Sequence, residues 1–179
     1  NKFNAYLKEQ GYQTLEGRPS QLGLRILGET DGFLYGMDVF NVALKGRAST
    51  TQTHSLNSLR IYANVGKKFF QYKNWGIGAL GGLGYGNLRY SLLKDQKPDF
   101  PALLDLRNFD GYLRRSGIFL KPEVLLEYGL PMTKRKLFDL VLTTTAGYEQ
   151  AFPGYKLGGV SMNGYQSGPF VTFGLGIRP

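Results

Sequence analysis

His54 is the one histidine in this chain, and Ser55 and Ser58 follow it closely. Nucleophilic catalysis needs such a base beside a hydroxyl, with an orienting acid brought to both. Nothing in the chain completes that set at a triad spacing, so no catalytic residue is assigned and His54 reads as an ordinary loop residue. Metal chemistry fares no better. There is no cysteine, and one histidine with scattered carboxylates has no ligand spacing, so neither a metal nor a cofactor is expected. The glycines of WGIGALGGLGYGNLRY, Trp75 to Tyr90, do not make a phosphate loop: they alternate, and no Lys-Ser/Thr pair opens a helix after them. What the charged residues do share is parity. Arg25, Glu29, Asp38, Arg60, Lys121, Glu123, Glu127, Asp139 and Glu149 fall opposite the apolar positions of their own stretches. Both signs on one face can pair where water is excluded. The chemistry expected is therefore structural, with Arg25 and Arg60 pairing with Glu123, Glu127 or Asp139 across an interior plugged by charge.

The elements that must carry those charges read as β-strands, because side chains at period two point to opposite faces. In Trp75–Tyr90, Trp75, Ile77, Ala79, Leu83 and Tyr85 share one parity. Gly76, Gly78, Gly82, Gly84 and Gly86 share the other, with Leu80 as the exception. A bare face suits a narrow closed barrel, where neighbouring strands already fill the inside. Around it, Asn1–Gln10 has helical spacing, and strands are expected from Gln21, where Leu27 is a blemish, and over Phe33–Lys45. Further strands are expected over Leu56–Phe70, Ile118–Leu130 and Leu137–Phe152, with a last one ending at Arg178. Phe40–Leu44 is apolar on both parities, which a bulge would explain. Connections alternate short and long. Thr30–Gly32, Tyr72–Asn74 and Thr133–Lys136 are short, whereas Ala48–Thr53, Lys94–Arg115 and Pro153–Gly168 are loops. An up-and-down antiparallel sheet with turns at one end and loops at the other has this form. The whole chain, 1–179, reads as one β-barrel domain, with residues 1–20 an outer loop bearing a short helix and 21–178 the barrel strands.

Composition agrees: 42% hydrophobic and 14% aromatic residues make a foldable chain, and 25 glycines show no collagen period. A formal charge of +9 favours an anionic surface such as lipid or lipopolysaccharide over nucleic acid, which is not expected as a partner. No apolar run is long enough for a transmembrane helix, which leaves membrane strands open. Alternation alone does not say which face is wet. Glycine-rich, charge-bearing positions are odd on a soluble exterior but suit a crowded lumen. Tyr35, Phe69, Tyr72, Trp75, Tyr85, Tyr128, Phe138, Tyr148 and Phe173 gather near strand ends, as an aromatic girdle at bilayer interfaces does. The apolar face is therefore expected to meet lipid.

The stretches NAYLKEQGYQTL leading to QLGLRILG, WGIGALGGLGYGNL and the closing PFVTFGLGI carry a resemblance. With them the chain resembles small outer-membrane β-barrel proteins of Bacteroidota, of the eight-stranded OmpA/OmpX type. The resemblance implies an all-β, up-and-down transmembrane barrel in the bacterial outer membrane, with short periplasmic turns and long outer loops. About seven strands are visible here, so a strand ahead of Asn1, or another element sealing the edge, is expected. The end, Gly176-Ile177-Arg178-Pro179, lacks the family's terminal aromatic. The function implied is a non-enzymatic barrel, structural or an accessory subunit of a cell-envelope complex. Its partners would be outer-membrane lipid and lipopolysaccharide. Other envelope proteins could be reached through the 94–115 loop, where Phe100, Leu104, Phe109, Tyr112, Arg114 and Arg115 are the candidates; the same stretch reads equally as a loop folded over the barrel mouth, or as strands extended into a hairpin above the membrane. The alternatives are a soluble lipocalin-like carrier of an apolar ligand, with the Trp75 face turned inward, and, behind it, a lipid A-modifying enzyme using His54.

Overall fold

Period-two patterning and two tight turns set the architecture. The computed structural model describes residues 2–9, 14, 19–45, 52–94, 111–131, 139–152, 156–157, 160–161 and 167–178. Helix α1 (Lys2–Glu9) precedes β1 (Ser20–Thr30), β2 (Phe33–Lys45), β3 (Gln52–Tyr72), β4 (Trp75–Lys94), β5 (Gly111–Pro131) and β6 (Asp139–Phe152). A small hairpin, β7 (Lys156–Leu157) with β8 (Val160–Ser161), lies within the stretch expected to be loop, and β9 (Gly168–Arg178) follows. One sheet of seven antiparallel strands, in the order β1-β2-β3-β4-β5-β6-β9, curls into a half-barrel.

Turn chemistry fixes the register. Asp31 and Gly32 both take positive φ, 52° and 77°, the geometry that matches strand twist in a two-residue hairpin. Lys73 at φ 52° turns β3 into β4, pairing Tyr72 with Trp75. From there β3, β4 and β5 run 21, 20 and 21 residues, longer than ordinary strands of five or six.

Three expectations are corrected. Strand β5 begins at Gly111, and its ladder with β4 holds out to Leu92↔Gly111. Tyr112, Arg114 and Arg115 are thus strand residues, and the connection shrinks to 95–110. Arg114 lies on the outward parity of β5 and Arg115 on the inward one, so alternation fades on this strand while the hydrogen-bond ladder continues. No bulge interrupts β2, whose register with β1 and β3 is unbroken. Phe40, Val42 and Leu44 point inward and are buried, because the interior near the long connections is itself apolar. Finally, β3 takes in Gln52, Thr53 and His54, so His54 is a strand residue. The sheet's bulge instead falls between Lys68 and Phe70, leaving both Phe69 and Phe70 exposed.

Two breaks in parity have one cause. Leu27 and Leu80 stand on the inward face and pack with Leu34 and Leu125 as an apolar cluster inside the curl. The expected inside-outside division otherwise follows the strands. Leu22, Leu24, Ile26, Leu83, Tyr85, Val124 and Phe173 are exposed on the convex side, while Asp38, Arg60, Lys121 and Glu123 are buried.

Candidate functional site

The concave face gathers charge from nearly every strand. Arg25 on β1 stands directly opposite Asp38 on β2, and its guanidinium grips that carboxylate with two hydrogen bonds of 2.8 Å. The same Nη2 reaches across to Glu123 Oε1 on β5 at 2.5 Å. Lys121, two residues before Glu123, donates to Asp38 and lies 3.6 Å from Glu123 Oε2. Two cations and two carboxylates therefore neutralise one another. The Lys121 ammonium also sits 4.6 Å from the ring centroid of Tyr62 and 5.0 Å from that of Phe40, aromatic faces that favour a desolvated cation.

Nearer the long connections, Arg60 pairs with Glu149, and the Tyr62 hydroxyl donates to the same carboxylate. The Arg60 guanidinium stacks 4.6 Å from the Phe119 ring centroid and donates to Ser58 Oγ at 3.1 Å. At the end of the short turns, Lys68 bridges Glu29 at 2.5 Å and Glu127 at 2.7 Å, while its backbone N–H donates to Gly32. Arg25 does meet Glu123, but Arg60 takes Glu149 in place of Glu123, Glu127 or Asp139, because Glu149 on β6 faces it across the curl. The side chain of Asp139 lies outside the described residues.

The glycines of β4 make room for this network. A Cβ on Gly84 would lie 2.6 Å from Tyr62 Cε1, one on Gly82 2.6 Å from Asn64 Oδ1, and one on Gly86 2.8 Å from Phe119 Cε2. Each inward glycine thus sits under a large neighbour from β3 or β5. Asn64 is buried with neither its Nδ2 nor its Oδ1 bonded among the described residues. Lys68, Tyr62 and Asn64 join the site beyond the residues expected from sequence, and Lys68 continues the parity of Arg60, Tyr62, Asn64 and Gly66, the signal that marks it.

On the convex face, Tyr35, Phe69, Tyr72, Trp75, Tyr85, Tyr148 and Phe173 are exposed. Tyr128 is half-buried, with its ring centroid 4.6 Å from that of Trp75. Tyr35, Phe69, Tyr72, Trp75 and Tyr128 cluster at the short-turn end, and Tyr85 and Tyr148 lie toward the other. Phe173 falls between them, opposite Thr144. Phe138 lies outside the described residues. So do Phe100, Leu104 and Phe109 of the candidate partner loop, and the side chain of Tyr112; Arg114 and Arg115 are exposed on β5.

A cleft of about 870 Å³ separates the two edge strands, lined by Arg25 and Gly28 of β1, Thr143 and Thr145 of β6, and Thr172 and Gly174 of β9. No cluster of three or more His, Cys, Asp or Glu able to hold a metal occurs among the described residues. Among the described residues no helix is long and apolar enough to cross a membrane, which bears on helices alone. Comparison with protein-family models, with curated proteins and with solved structures finds no match.

Proposed function

We propose that this chain is a non-enzymatic outer-membrane β-barrel, structural or an accessory subunit of a cell-envelope complex, with its lumen plugged by charged side chains. The observation that carries the reading is the inverted distribution of residues. Large apolar side chains cover the convex face, and ion pairs fill the concave one. In water such a continuous apolar exterior would drive association; in hydrocarbon it costs nothing. The outward positions of β4 support a bilayer in particular. From Trp75 to Tyr85 the strand rises ten residues, about 34 Å at the usual spacing and about 24 Å at a barrel tilt of ~45°, close to the apolar band of such barrels. A carrier of an apolar ligand would need this same face turned inward, whereas Leu83 is 59% exposed and Tyr85 61%.

An eighth strand belongs to the same proposal. With seven antiparallel strands in sequence order, β1 and β9 run parallel to each other and leave the cleft between them. One added strand, antiparallel to both, gives the even, closed count of bacterial barrels and satisfies edge groups that lipid would leave unbonded. It would enter at the short-turn end and finish at the long-connection end, where α1 contacts β8. The test is extraction and gel mobility. The folded chain should need detergent or lipid for solubility, stay with vesicles through carbonate washing, and migrate differently before and after boiling. A monodisperse protein in plain buffer, unaffected by lipid, would overturn the reading and favour the soluble carrier.

A further inference from the structure

Among the described residues, the ion pairs of the concave face fall into three groups, and two of them are neutral. Arg25 and Lys121 balance Asp38 and Glu123, and Arg60 balances Glu149. The third group is not. Lys68 is shared between Glu29 and Glu127, and among the described residues it is the one cation bridged to either carboxylate. Arg178, on the inward parity of β9, stands opposite Asp139 in the register, so that row carries both signs. Glu29 and Glu127 both line the cleft between β1 and β9, with Asp31 at its short-turn end. There is room beside them for a long side chain, since a Cβ on Gly176 would meet nothing nearer than Val141 O at 3.9 Å. Farther along, Thr143, Thr145 and Thr172 line the middle of the cleft. The surplus negative charge therefore lies at a gap between two edges, each 11 residues long and paired on one side only.

We propose that this seam binds one extended strand of a separate polypeptide, with a lysine or arginine facing inward in its N-terminal half. The inference deepens the accessory-subunit reading above and rests on it, the strand being the partner's contribution to the closed barrel. Among the described residues no other strand of this chain reaches the seam, since β7 and β8 pair only with each other. A strand antiparallel to both edges enters at the short-turn end, which puts its first inward positions beside Glu29 and Glu127. Main-chain hydrogen bonds to the two edges give affinity, and the alternating side chains give specificity. Outward, apolar residues continue the belt of Leu24 and Ile26 on β1 and of Phe173 and Leu175 on β9. An acyl chain in the same place would leave both edges unbonded. A second copy of this chain fits less well. Pairing edge to edge between copies flattens the curl, which the 2.5 Å bond from Arg25 to Glu123 across it opposes.

The probe is a fluorophore-labelled synthetic peptide as long as β1, apolar at alternate positions, with lysine and then threonines inward from its N-terminal end. It is added to the full chain folded in mild detergent, and binding is read by anisotropy. This peptide should bind at least about tenfold more tightly than one with glutamate in place of the lysine, on the scale of charge pairs at interfaces. Moving the lysine to the C-terminal half should lose that advantage. Glu29→Gln leaves Lys68 facing Glu127 alone, a neutral pair, and should bring the lysine and glutamate peptides to within about twofold of each other. No binding of the lysine peptide, equal binding of both peptides by the wild type, or a preference that Glu29→Gln leaves intact would each overturn the proposal. So would a dimer of the chain that excludes the peptide. Carbonate resistance after transfer to phosphatidylcholine vesicles and heat-modifiable mobility are read on the same samples. Chain that fails to enter vesicles defeats the membrane reading and this site with it, while inserted chain that takes no peptide defeats this site alone.

Discussion

The wall formed by β3, β4 and β5 and the seam between β1 and β9 are built from the same alternating pattern, yet they behave as opposites. In the wall, strands of 20 or 21 residues pair along most of their length, and inward glycines lie beneath Tyr62 and Phe119 with no space to spare. At the seam, two strands of 11 residues face a cleft, and a Cβ on Gly176 would find only Val141 O at 3.9 Å. The inward glycines of β4 are therefore packing residues, whereas Gly176 at the seam leaves open space beside it. The difference teaches that close packing is concentrated in the wall, while a cleft remains at the seam.

The largest effect expected is at Gly84. Gly84→Phe would drive a ring into Tyr62 and the Ile61 carbonyl, so no heat-modifiable folded species should form. If both Gly82→Phe and Gly84→Phe fold normally, the narrow lumen is wrong. Next comes Asp38→Leu, which strips Arg25 and Lys121 of the carboxylate they share. Removing one partner of a buried pair costs about 3–5 kcal/mol, measurable as a shift in urea unfolding in vesicles. Adding Lys121→Met should recover part of that loss, since the orphaned cation is the main penalty. The smallest change is Gly176→Ala at the seam, expected within about 0.5 kcal/mol of wild type by the same titration. A cost as large as that of Asp38→Leu would mean the seam is packed like the wall.

How much of this was legible in the sequence follows the same division. Strand positions, the tight turn at Asp31-Gly32 and the two faces were readable wherever an apolar residue alternated with a charge or a glycine. Reading failed where both faces agreed in character. Phe40–Leu44 looks irregular because the interior there is apolar, and Tyr112, Arg114 and Arg115 look like loop because arginine stands on both parities of β5 at that point. Opposite-sign residues on inward parity marked the site, but parity does not choose partners. Arg60 meets Glu149 because the sheet's curl brings β6 across from β3, a consequence of curvature that one-dimensional spacing does not encode.

The central claim is that the convex apolar face meets acyl chains. Trp75 is the chain's single tryptophan, so Trp75→Phe with Leu83→Trp places one reporter on the mid-belt of β4. In vesicles whose acyl chains carry bromine, the account predicts blue-shifted emission, strong quenching by the lipid and little by aqueous iodide. Red-shifted emission, quenched by iodide and untouched by brominated lipid, would contradict it.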